Sequence, residues 1–150
     1  MYRKIVILLL SLCSLYAEKI EINAKIFEGN KDNQTGVFSK DVSIRQGKDY
    51  LNCQILTIRT NKDNKIASYE AQYVTSFSIS LNKDNFKGKA DKIVYDVNKN
   101  TYELIGNVKI TENNKELSAD YIYINQNDGT YKVNSDKANK PVKLIFEIAK

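Results

Sequence analysis

Histidine and tryptophan are absent from this chain, proline occurs once, and cysteine occurs only twice. Each scarcity removes a class of chemistry. Without histidine there is no Ser-His-Asp triad and no Cys-His dyad, and without paired cysteines the common zinc constellations go too. The two thiols are Cys13 and Cys53. Cys13 lies in an N-terminal segment expected to be removed, which leaves Cys53 alone and without an intramolecular disulfide. A lone cysteine between Asn52 and Gln54 reads as a small core residue. Asp and Glu are scattered singly and mostly flank turns, as solvated surface carboxylates do. No catalytic residue, metal site or cofactor is expected, and the chain does not read as an enzyme.

The charge pattern removes a second class. The formal net charge is +5, but the basic residues sit mostly in polar turns such as Asn82-Lys83-Asp84-Asn85 and Asn98-Lys99-Asn100. There is no run of Lys and Arg and no aromatic interleaving, so no nucleic-acid partner is expected. A mild positive field suits an anionic amphiphile without selecting one.

What is present begins with an address. Arg3 and Lys4 precede an apolar run from Ile5 to Leu15, and Ala17 supplies a small residue before a cut. That is the layout of a secretory signal peptide over residues 1–17, followed by one domain over residues 18–150. The run is too short to cross a bilayer core of ~30 Å as a helix, so export and cleavage are expected rather than a permanent span.

The remainder alternates. Apolar residues recur with period two at Ile20, Ile22, Ala24, Ile26; at Val42, Ile44; at Leu51, Cys53, Ile55; at Phe77, Ile79, Leu81; at Ile93, Tyr95, Val97; at Tyr102, Leu104; at Val108, Ile110; at Ile122, Ile124; at Tyr131, Val133; and at Val142, Leu144, Phe146, Ile148. Such spacing puts each set on one face of a sheet, and the residue types are strand formers. Turn signals separate them at Gly29–Asn33, Asn61–Asn64, Asn113-Asn114 and Asn127–Gly129. The sequence predicts an all-β chain.

It also repeats. Asp41-Val42-x-Ile44 with Leu51-x-Cys53 corresponds to Asn107-Val108-x-Ile110 with Leu117-x-Ala119, and a middle copy is expected at Ile79-x-Leu81 with Gly88-x-Ala90. Stacked hairpin units sharing one core follow. Within the copies, Leu117 and Ala119 share a face with Ile122 and Ile124 only if one residue is skipped near Asp120-Tyr121. The same break falls between Ala90 and Ile93. A bulge at each Ala-Asp step would bend the sheet over on itself. Asp91 and Asp120 are expected to bond backbone N–H groups exposed at the bend.

Several of these stretches carry a resemblance. Thr35-Gly36-Val37, Val42–Gly47, Lys89–Asp96, Leu104–Ile110 and Leu117–Ile122 together resemble the LptA/OstA family of periplasmic lipopolysaccharide-transport proteins, over about residues 19–148. The most specific element is the Ala-Asp-x-Ile-x-Tyr, turn, x-Leu-x-Gly-Asn-Val-x-Ile order at Ala90–Ile110. The first copy departs from it, with Lys40-Asp41-Val42 in place of Gly-Asn-Val and Cys53-Gln54 in place of Ala-Asp.

The resemblance implies a bent, open β-jelly-roll of two antiparallel sheets facing each other, whose apolar interior takes the acyl chains of lipopolysaccharide. It also implies head-to-tail stacking of copies, and partnership with LptC-like inner-membrane and LptD-like outer-membrane jelly-rolls. Candidate lipid-binding residues are Ile20, Ile22, Ile44, Phe77, Ile79, Tyr95, Val97 and Leu104. The candidate oligomer edge is the final strand, with Val142, Leu144, Phe146 and Ile148, because it is apolar and free of the usual edge-blunting devices. Two alternatives stand beside this reading. One is an LptC-like component that keeps residues 5–15 as a membrane anchor, and the other is a polysaccharide-binding β-sandwich module.

Overall fold

The computed structural model describes residues 19–81, 83–136 and 141–147. They form ten strands: β1 (Ile20–Asn23), β2 (Ile26–Asn30), β3 (Thr35–Gln46), β4 (Asp49–Thr60), β5 (Ile66–Leu81), β6 (Asp84–Asp96), β7 (Thr101–Glu112), β8 (Lys115–Asn125), β9 (Thr130–Asn134) and β10 (Lys143–Phe146). All pairings are antiparallel, in the order β1-β3-β4-β5-β6-β7-β8-β10, with β2 also on β3 and β9 also on β8. The expected signal segment and Ile148 lie outside the described residues.

Every long strand is bent near its middle, so the sheet has two wings. The first wing carries β1 and β10 at its margins, and the second carries β2 and β9. The expected single run from Ile20 to Ile26 is broken, because the chain passes from β1 in one wing to β2 in the other at Ala24-Lys25. Lys25 follows the bend of its neighbour, donating its N–H to the Lys40 carbonyl at 3.0 Å.

Neighbouring strands turn this corner by different means. In β4, β6 and β8 the inward face skips a residue, so that Cys53 and Leu56, Ala90 and Ile93, and Ala119 and Ile122 are all buried. In β6 and β8 this is the parity break read from the sequence; in β4 it corrects the expected Leu51, Cys53, Ile55 set, since Leu56 rather than Ile55 shares the buried face of Cys53. In β3 and β7 two consecutive residues take the left-handed conformation instead. They are Lys40 and Asp41 (φ 67° and 53°) and Gly106 and Asn107 (φ 82° and 46°). β5 uses Tyr73 alone, at φ 57°. Only glycine occupies this region at no steric cost, with Asn and Asp next best. The Gly-Asn pair on β7 therefore suits its corner, and Lys40 does not.

Three cross-strand pairs fill the crease: Val42 with Cys53, Val74 with Ala90, and Val108 with Ala119. Each sets a branched side chain against a small one, and all six are at most 7% exposed. Cys53 thus takes the place that alanine holds in the other two pairs. The register corrects the middle repeat, since Val74 rather than Ile79 faces Ala90. The hairpin from Val74 to Ala90 is longer than its two counterparts, which displaces Ile79 toward the wing tip, where it faces Phe86.

Beyond the crease, inward residues align in rungs across the whole sheet. In the first wing the rung runs Ile22, Ile44, Leu51, Phe77, Gly88, Ile110, Leu117, Leu144. Gly88 is required there: a Cβ would lie 2.0 Å from the Lys109 carbonyl oxygen and 3.1 Å from the Phe77 ring. In the second wing one rung runs Phe27, Phe38, Leu56, Ala71, Ile93, Leu104, Ile122, Val133, and the next runs Gly29, Gly36, Ile58, Tyr69, Tyr95, Tyr102, Ile124, Tyr131. Phe77, Leu56, Leu104 and Ile122 are the largest fully buried side chains, so the core lies between the wings near the crease.

Candidate lipid-binding interior

Toward β8 and β10 the wings do not close on each other, and a cavity of about 690 Å³ remains between them. The first wing contributes Phe77, Ile79, Phe86, Ile110, Leu117, Leu144 and Phe146 to its walls. The second contributes Tyr102, Leu104, Ile122, Ile124 and Tyr131. Asp84, Glu112, Lys115, Asn125 and Gln126 stand around it as the polar lining. The volume falls within the roughly 300–1,000 Å³ typical of small-molecule sites. A space walled by aliphatic and aromatic side chains can hold hydrocarbon.

The tyrosines of the second wing form a stack. Ring centroids are 6.1 Å apart for Tyr69 and Tyr95, and 4.5 Å apart for Tyr95 and Tyr102. Tyr95 donates its hydroxyl to Asn100 Oδ1 at 2.9 Å. Burial holds the Tyr102 hydroxyl well above the usual phenol range, with further contributions from Tyr95, from Asp49 and from Tyr69. Burial likewise raises Tyr69 and Tyr95. All three hydroxyls are therefore neutral at ordinary pH.

Of the residues singled out from the sequence, Phe77, Ile79 and Leu104 line the cavity. Ile22 and Ile44 occupy the same inward rung as Phe77 but nearer the N-terminal margin, packed against the core. Tyr95 supports Tyr102 from one side. Ile20 is 44% exposed and Val97 36% exposed, and neither reaches the cavity. Leu144 and Phe146, expected only at the edge, also form part of the wall. Phe86, Tyr102, Ile110, Leu117, Ile122, Ile124 and Tyr131 were missed as wall residues. The alternation marked all of them but Phe86 as sharing a face with their neighbours, but which inward residues meet across the wings depends on the bend.

The two margins of the sheet remain open among the described residues. β10 pairs with β8 on one side only, and β1 with β3 on one side only. Val142, Leu144, Ile145 and Phe146 are all exposed at one end, and Ile20, Ile26 and Phe27 at the other.

Residues 21–130 match the family described as LptA/(LptD N-terminal domain) LPS transport protein. The chain belongs to this family of LPS transport proteins. Among solved structures it is similar to LptH of Pseudomonas aeruginosa, described as the LptA homologous periplasmic component of the conserved lipopolysaccharide transport device. The TM-score is 0.74 at 16% identity, covering 87% of this chain and 96% of LptH. That likeness establishes the shared bent jelly-roll. No curated protein matches the sequence.

Proposed function

We propose that this family member is a periplasmic carrier that shelters lipopolysaccharide acyl chains between its wings, and that copies join end to end to bridge the inner-membrane transporter and the outer-membrane translocon. The apolar cavity between the wings is the observation that carries the reading. Each methylene moved from water into such a space gains ~0.8 kcal/mol, so transfer from a membrane needs no covalent step.

The margins support the bridge. β10 runs from crease to wing tip, whereas β1 runs from tip to crease. β9 and β2 are related in the same way in the second wing. A second copy laid against the first therefore continues both wings with antiparallel pairing, as in strand addition. The contact is head to tail and can propagate. Its register follows from the rungs: Leu144 meets Ile22 of the second copy, Val133 meets Phe27, and Lys132 meets Glu28. The LptC-like and LptD-like jelly-rolls are the expected neighbours at the two ends.

A photo-crosslinking residue tests the carrier reading directly. At Ile79 or Phe86 it captures lipopolysaccharide in cells, whereas at Ser76 or Lys87, on the outer face, it does not. Equal capture from both faces overturns the assignment.

A further inference from the structure

Tyr102 is an odd member of the cavity wall. Its neighbours there, Leu104, Ile122 and Ile124, have nothing to offer but hydrocarbon surface. Among the described residues its own hydroxyl has no hydrogen-bond partner, yet it is not sealed inside the protein. The hydroxyl of Tyr95, one strand away, is by contrast already committed to Asn100.

Tyr131 brings a second phenol to this wall but is 71% exposed at the margin, whereas an unmet hydroxyl on a partly buried ring such as Tyr102 is costly to desolvate unless the occupant of the site completes it. The ring beneath it is also fixed, because Tyr95 stacks on it at 4.5 Å and Tyr69 backs Tyr95 in turn. The group is thus held in one place before any ligand arrives, which lowers the entropy lost on binding. Burial and the Asp49 carboxylate keep its proton on, so it can donate at any physiological pH.

Building on the acyl-carrier reading, we propose that Tyr102 is a specificity-determining residue that hydrogen-bonds a hydroxyl borne on the acyl chain itself. The interior then selects substituted acyl chains over plain hydrocarbon. A site built to bond a hydroxyl disfavours the analogue lacking it, because its own polar group is left unpaired.

Calorimetric titration of the purified protein with β-hydroxymyristate and with myristate tests this. The hydroxylated acid is expected to bind about five- to tenfold more tightly, the worth of one neutral hydrogen bond. Tyr102→Phe brings the two affinities to parity. Tyr121→Phe, on the outer face, keeps the preference and controls for loss of a phenol elsewhere. Equal binding by the unaltered protein, or a preference that survives Tyr102→Phe, overturns the proposal and leaves the carrier reading standing. Binding of neither acid overturns both.

Discussion

The Asp91 carboxylate on β6 accepts a hydrogen bond from the side-chain amide of Asn107 on β7, at 2.8 Å across the crease. Its partner is a neighbouring strand's side chain, where the sequence led us to expect a backbone N–H. The same carboxylate lies over Gly106, where a Cβ would stand 2.5 Å from Asp91 Oδ2. The Ala-Asp and Gly-Asn signatures are thus two sides of one contact. Asp91→Ala is expected to lower stability by about 1 kcal/mol, the usual worth of such a bond. Urea denaturation measures it, and ligand capacity per folded molecule should not change.

Lys40 offers the opposite case. It adopts φ 67° at the position of β3 that matches Gly106 of β7. A left-handed backbone costs a non-glycine residue about 1–2 kcal/mol, and glycine's greater freedom in the unfolded chain offsets part of the relief. Lys40→Gly should therefore stabilise the protein by up to about 1 kcal/mol, read as a higher denaturation midpoint with an unchanged slope.

Charge reversal tests the proposed junction. Glu28→Lys or Lys132→Glu alone would set like charges opposite each other across strands and weaken association several-fold, in line with a cross-strand pair worth 0.2–1 kcal/mol. Combining the two restores opposite charges and should restore association. Sedimentation velocity over a concentration series distinguishes the three proteins. Association that ignores both single changes places the junction elsewhere.

Cys53 gives the alkaline limit. Burial pushes its thiol up to about 11 from 9.0, against a smaller lowering from its bond to the Ile55 carbonyl. The folded state therefore holds the proton longer than the unfolded state does. This contribution to stability is intact below pH 9 and is lost as pH rises toward 11. Cys53→Ala, which reproduces the residue at the two equivalent crease pairs, should flatten that part of the pH profile. Its own cost should stay below about 1.5 kcal/mol. A thiol reagent should reach Cys53 only in denaturant.

Most of the architecture was legible because alternation with period two is a local signal. The skips at Ala90–Ile93 and Ala119–Ile122 even located the corner. The corners of β3 and β7 were not legible in the same way. Two consecutive left-handed residues leave parity unchanged, so Phe38 and Val42, or Leu104 and Val108, look like one straight strand. The cavity wall was only partly readable for a related reason. Period two tells which face Ile22 and Leu117 share, but not that Leu117 lies where the wings gape and Ile22 where the core is packed. That difference arises from strand order and the meeting of two wings, neither of which is local.

The crease pairs have a mechanical consequence. Val42–Cys53, Val74–Ala90 and Val108–Ala119 lie on separate strand pairs, so the molecule has three shims along its spine rather than a single hinge. The gape of the wings is set locally by the volume of one small side chain at a time. A bulkier residue at Ala119 would wedge open the stretch beside β8 while the stretch beside β4 kept its spacing. The bore of the interior can therefore be graded along its length without altering a single residue of its walls.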